Sequence, residues 1–292
     1  MARDILAAIE NGMPAFSKGQ RAIAQFILDS YDKAAFMTAG KLGKTVRVSE
    51  STVVRFAAKL GYDGYPDMQK VLQEMIRNKL TSVQRIEVAN DRLGNQDIVS
   101  SVMQADMEKI RLTMEETSRQ GFWRAVDAIL GARRIYILGA RSSASLADFL
   151  FYYFDLIFDN VVPVRTSSSG EMFEHLLKIG EEDLIIGISF PRYSSTTVKA
   201  MHFARERGAS VIAITDSEAS PLAGISTETL LAKSDMVSFA DSLVAPLSLI
   251  NALIVAVGQR REREIGCIFS NLEQIWAEYG VYEQAEDEKQ FE

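Results

Sequence analysis

Residues 134–139, Arg-Ile-Tyr-Ile-Leu-Gly, run into Ala140-Arg141-Ser142-Ser143. A second apolar run, Leu184-Ile185-Ile186-Gly187-Ile188, opens into Ser189-Phe190-Pro191-Arg192-Tyr193-Ser194-Ser195-Thr196-Thr197. Short apolar runs bounded by glycine and hydroxyl residues, with helical spacing between them, read as strands that alternate with helices. Each strand then delivers a hydroxyl-rich loop to a helix start, where unpaired N–H groups and the positive dipole end favour an anion. Two such loops at the carboxyl edge of one parallel sheet would frame a phosphate site.

Working outward, apolar runs at Val161–Arg165, Val211–Thr215 and the shorter Thr229–Ala232 join Ile135–Leu138 and Leu184–Ile188. Helical patterns at Ser143–Phe158, Glu171–Ile179 and Thr196–Arg207 lie between them. Continuous apolar strands separated by helices predict a doubly wound α/β domain with a parallel sheet of about five strands. Ligands in such sheets bind beyond the strand ends where the chain direction switches. Ser142 and Ser143, Ser167 to Ser169, Ser189, and Ser194, Ser195 and Thr196 all fall on that edge. Any one of them is as well read as a helix cap, but four clusters on one edge suit an anionic sugar better than a neutral one. Arg192 adds a planar donor fork for a phosphate or carboxylate; the plain alternative is a solvated arginine. Asp216, at another strand end, could hold sugar hydroxyls, but the preferred reading is a cap of the helix or turn that follows.

The amino-terminal part has no strand pattern. Residues 2–10, 18–31 and Ala34–Lys44 read as helices, the last carrying Gly40 and Gly43, each costing about 1 kcal/mol in a helix interior. After a turn at Thr45–Val48, Ser49 is placed to cap a helix Glu50–Leu60 whose Val53, Phe56, Ala57 and Leu60 form one stripe. Helix, short turn, helix is the geometry in which the start of the second helix reaches base edges. The residues read as facing DNA are Arg47, Ser49, Ser51, Thr52, Arg55 and Lys59, with Arg47 and Lys59 at the margins suited to the phosphate backbone. A plain helical bundle with a solvated face fits the pattern equally well. Met68–Leu80 continues as helix, Glu87–Gln96 reads as a linker, and Asp97–Thr117 and Phe122–Leu130 are helical again.

Charge supports a division of the chain. Residues 1–80 hold 12 Lys and Arg against 8 Asp and Glu, leaving 20 against 31 for the remainder of a 292-residue chain with net charge −7. A basic head on an acidic body is compatible with DNA binding. The single Cys267 excludes a disulfide framework within the chain, and His175 and His202 alone offer no zinc ligand set. No metal or cofactor is therefore expected. Leu243–Gly258, the most apolar stretch, is too short for a membrane span and is interrupted by Pro246, Ser248 and Asn251. A cytoplasmic protein without a membrane partner is expected.

Gly-x-x-x-Ser after the first strand and Ile-Ser-Phe-x-x-Tyr-Ser after the later one resemble the SIS, or sugar isomerase, phosphosugar-binding domain. Val48 to Phe56, followed by Lys59-Leu60-Gly61-Tyr62-Asp63-Gly64-Tyr65, resembles the recognition helix of the RpiR/MurR family of sugar-responsive regulators. The resemblance implies a helix-turn-helix domain at 1–80, connecting helices at 81–120 and a SIS domain at 121–292. It also implies Ser143 and Ser189 as the loop serines, Ser194 as a further phosphate ligand, and at least a homodimer. The implied partners are a double-stranded DNA operator and a phosphorylated sugar or sugar acid. The alternative is a phosphosugar isomerase with an accessory helical domain. Isomerisation needs a base, for which Glu171, Glu174, His175 and His202 are the candidates, none at a marked position. The sequence reading is thus a non-enzymatic regulator.

Overall fold

The computed structural model describes residues 5–77, 81, 83, 84, 86, 97–165, 168–234 and 240–282. The expected linker Glu87–Gln96 and Ser167 lie outside them. The chain forms two compact units. One comprises Met1–Arg111 with Phe190–Tyr193 and Ser234–Ser242, and the other comprises Leu112–Ser189, Ser194–Lys233 and Leu243–Glu292.

The first unit opens with α1 (Ile5–Gly12), α2 (Lys18–Asp29), α3 (Tyr31–Ala34), α4 (Ala39–Thr45), α5 (Glu50–Lys59) and α6 (Tyr65–Arg77). Ser17 begins α2 through a reciprocal cap: its hydroxyl accepts from Gln20 N and the Gln20 side chain accepts from Ser17 N. The helix expected over Ala34–Lys44 is interrupted. Thr38 is extended (φ −65°, ψ 157°) and its hydroxyl accepts from Lys41 N at 3.2 Å, so the chain stops and restarts at Ala39. A threonine that can satisfy an amide of the next turn favours such a break. Ile23, Ile27, Leu42, Val53 and Phe56 are fully buried, each contributing about 1.5–3 kcal/mol by removal from water. Phe16 meets Phe56 edge-on at 5.1 Å.

Next along the chain come α7 (Ile98–Glu116) and α8 (Arg119–Gly131). On α7 Ile98 and Met107 remain 62% and 64% exposed. The sheet follows: β1 (Ile135–Gly139), β2 (Val161–Pro163), β3 (Leu184–Ile188), β4 (Ser210–Thr215) and β5 (Glu228–Leu231), all parallel, in the order β2-β1-β3-β4-β5. The second strand ends two residues earlier than the apolar run Val161–Arg165 suggests, although Val164 N still reaches Ile137 O at 2.9 Å. Helices α9 (Ser142–Ile157), α10 (Ser169–Leu176) and α11 (Ser195–Glu206) connect the strands. Every residue of β1 and β3 is buried, as continuous apolar strands between two helical layers require.

Asp183, 1% exposed, is held before β3 by both arms of Arg133 at 3.0 and 2.8 Å and by Gly180 N at 2.9 Å. The apolar stretch near the C-terminus is α12 (Val244–Arg260), which buries Leu249, Ile250, Leu253 and Val257 and packs on α8 and α9. No described helix is long and apolar enough to cross a membrane. On α13 (Glu262–Tyr279) no residue is buried, and Cys267 is exposed rather than packed.

Candidate functional site

In the first unit, α4, a turn and α5 form the expected helix pair. The turn is tight because Gly43 is buried against it: Val48 N donates to Gly43 O at 2.8 Å, and a side chain at Gly43 would meet Val48 O. Gly43 is therefore the point where the turn crosses α4, and its low helix propensity is incidental. Arg47, exposed within the turn, sits at φ 59°, a left-handed conformation that costs a non-glycine residue roughly 1–2 kcal/mol.

Ser49 caps α5, accepting from Thr52 N at 3.3 Å. Its hydroxyl also lies 2.9 Å from Ser51 Oγ and 2.8 Å from Thr52 Oγ1, so three of the predicted contact residues form one hydroxyl cluster at the helix start. Val53, Phe56 and Ala57 face inward, leaving Ser51 and Arg55 exposed on the outer face. Arg55 Nε donates to Ser51 O at 3.3 Å, which aligns the guanidinium along the helix. Lys59 behaves differently. Its ammonium donates to Ala15 O and sits 5.5 Å above the Phe16 ring, so it also ties α5 to the segment before α2. Val54, 42% exposed, shares the outer face. In the sequence a valine beside Val53 looks like core, yet an exposed apolar group suits a thymine methyl.

Tyr65 braces the helix pair from behind. Its hydroxyl donates to Met37 O at 2.8 Å, next to the Thr38 cap, and burial pushes the phenol up to about 12. Gln69 and Gln73 donate to Met37 O and Ala35 O in the same stretch.

In the second unit the register pairs Gly139 with Ile188, so the loops after β1 and β3 leave the sheet side by side at the point where strand order reverses. Gly139 admits the first turn of α9, since a Cβ there would stand 2.3 Å from Ser143 O. Arg141, at φ 58°, is the bend before α9. Ser142 is exposed, while Ser143 and Ser189 are buried at 5% and 3% exposure. Ser189 Oγ accepts from Ser194 N at 3.1 Å, and Ser194 Oγ accepts from Thr197 N at 3.4 Å as the cap of α11. Ser195 is exposed and Thr196 half-buried. Ser168 is the cap of α10, accepting from Glu171 N at 3.1 Å. Arg192 is exposed and groups with the first unit. Asp216, buried, accepts from Thr215 Oγ1 at 3.3 Å.

A cavity of about 220 Å³ opens beside the first loop, lined by Gly139, Ala144, Asp148, Phe151, Pro163 and Arg165 among others. Its outer wall is fixed by His175, whose Nδ1 lies 3.0 Å from Pro163 O and 3.3 Å from Arg165 N. His202 is exposed on α11. No sequence signal marked the cavity, because Asp148 and Arg165 look like ordinary surface charges.

Residues 3–79 match the family model of the helix-turn-helix domain of the rpiR family, and residues 128–256 match that of the SIS domain. The chain belongs to the RpiR family. This RpiR-type protein is a transcriptional regulator with a helix-turn-helix domain and a SIS domain. It is 26% identical over 266 residues to the HTH-type transcriptional regulator HexR of Pseudomonas aeruginosa, covering 89% of this chain and 90% of that one. Its fold is similar to that of NanR from Vibrio vulnificus, solved as a complex with ManNAc-6P: TM-score 0.58, 22% identity, 94% of this chain and 99% of that one. The sugar isomerase domain of an RpiR transcription factor from Sphaerobacter thermophilus matches with TM-score 0.59 and 27% identity, covering 61% of this chain and 99% of that one.

Proposed function

We propose that the SIS domain of this regulator binds a phosphorylated sugar or sugar acid, and that occupancy changes the affinity of the helix-turn-helix domain for an operator. The observation that carries the reading is the Gly139–Ile188 register, which sets the ends of β1 and β3, and so the starts of their two hydroxyl-bearing loops, beside one another. Oxygens of a phosphate would be met by Ser142, Ser143, Ser189, Ser194, Ser195 and Thr196 together with helix-start amides. The ManNAc-6P complex of NanR supports the ligand class.

In this reading residues 1–80 bind DNA, 81–120 connect, and 121–292 hold the effector. Arg47, Ser49, Ser51, Thr52 and Arg55 face the duplex, and a homodimer reads paired half-sites. An effector acts by favouring one arrangement of the two DNA-binding heads over another. Thermal-shift screening against hexose 6-phosphates and phosphorylated aldonates, followed by gel shift on the gene's own upstream DNA with each hit, tests the reading. A protein stabilised by none of these compounds, or hits that leave the gel shift unchanged, would end it. Turnover of a hit into an isomer would instead establish the isomerase alternative.

A further inference from the structure

The start of α11 contains a polar atom that the fold leaves unused. Thr197, third residue of the helix, is fully buried, and its Oγ1 has no hydrogen-bond partner, the only such buried side-chain N or O atom among the described residues. Buried hydroxyls are nearly always satisfied, so an orphan asks for an explanation. Packing does not supply one: valine fills the same space without an unsatisfied group. Helical Cα–Cβ bonds lean towards the helix start, so the Thr197 side chain leaves the backbone towards the first turn of α11.

The neighbouring hydrogen bonds are those of a site closed on itself. Ser189 Oγ accepts from Ser194 N, and Ser194 Oγ accepts from Thr197 N at 3.4 Å, beyond the usual N–H···O range. Two side-chain oxygens thus stand at helix-start amides, where the oxygens of an anion would go, and the second contact is weak enough to be exchanged.

We propose that Thr197 is a ligand-binding residue: when the anionic group of the effector displaces Ser194 Oγ from the Thr197 amide, the Thr197 hydroxyl donates to the incoming oxygen. The inference rests on the phosphosugar reading above and adds a contact that sequence reasoning did not select. In the sequence a threonine in the first turn of an apolar-faced helix looks like packing.

The test compares Thr197→Val and Thr197→Ser in the full chain. Inorganic phosphate and the hexose 6-phosphates and phosphorylated aldonates of the screen are titrated calorimetrically at constant ionic strength, and melting is followed without ligand. Thr197→Val is expected to melt no lower than the wild type, because an unsatisfied hydroxyl has been removed, yet to bind phosphate and phosphosugar about tenfold more weakly. Thr197→Ser is expected to bind like the wild type. Wild-type binding that survives unchanged in Thr197→Val overturns this inference and leaves the phosphosugar reading standing. A Thr197→Val protein that melts well below the wild type, with Thr197→Ser restoring it, makes the hydroxyl structural and also overturns it. A wild type that binds no probe removes both.

Discussion

Val48 donates its amide to the carbonyl of Gly43 at 2.8 Å, while its own carbonyl stands 2.8 Å from where a Cβ on Gly43 would be. The turn between α4 and α5 is held by that mutual approach. Gly43→Ala would raise helix propensity by up to about 1 kcal/mol, but it forces two backbone segments apart, an overpacking cost of about 1–3 kcal/mol. The expected outcome is a lower melting temperature together with weaker DNA binding. An unchanged or higher melting temperature would show that the turn yields.

Arg55 and Lys59 separate two roles that look alike in the sequence. Arg55→Ala is expected to weaken DNA binding and, if it reaches a phosphate, to flatten the slope of log K against log salt by roughly 0.9. Lys59→Met should leave that slope alone and instead lower the stability of the helical unit, because its ammonium is committed to Ala15 O and the Phe16 ring. Fluorescence anisotropy over a salt series, with parallel melts, checks both. A slope change in Lys59→Met and none in Arg55→Ala would reverse the assignment.

Tyr65 gives the helical unit an alkaline limit. Its neutral form is the one that donates to Met37 O. Its folded value, about 12, lies above the ordinary 10, so the neutral phenol stabilises the fold fully below pH 10, and that contribution fades as pH rises towards 12. On the order of 3 kcal/mol is at stake. Denaturant midpoints at pH 8 and pH 11 should differ for the wild type and much less for Tyr65→Phe. Equal pH sensitivity in both proteins would exclude Tyr65 as its source.

Ser189→Ala and Arg192→Ala probe the effector without touching the DNA-facing helix. Each is expected to bind effector about tenfold more weakly while retaining operator affinity in its absence. Gel shifts with and without the screened effector read both quantities at once. An Arg192→Ala protein with full effector affinity would make that arginine a solvated bystander.

Much of this was legible from local pattern. The strand runs around Ile137, Ile186 and Ala213 are apolar without alternation, so their burial between helices could be anticipated, and Ser49 announced the start of α5 through the stripe that follows it. What escaped notice depends on distant residues. The break at Thr38 is stabilised by side chains of α6, through Tyr65 and Gln69, that no local window includes. The buried role of Gly43 depends on where Val48 passes. The cavity at Asp148 and Arg165 exists only because α9 and β2 meet there. For the same reason the contacts of Lys59 with Ala15 and Phe16 were not legible in the sequence.

With Arg47 facing DNA as proposed, its left-handed backbone would set heat resistance and grip on the duplex against each other at a single codon. Glycine or asparagine would relax into that conformation and free roughly 1 kcal/mol, but either would delete a cation from the edge of the reading head. Variants of this regulator selected only for thermal survival should therefore drift at position 47 towards tougher proteins that let go of their promoter at lower salt.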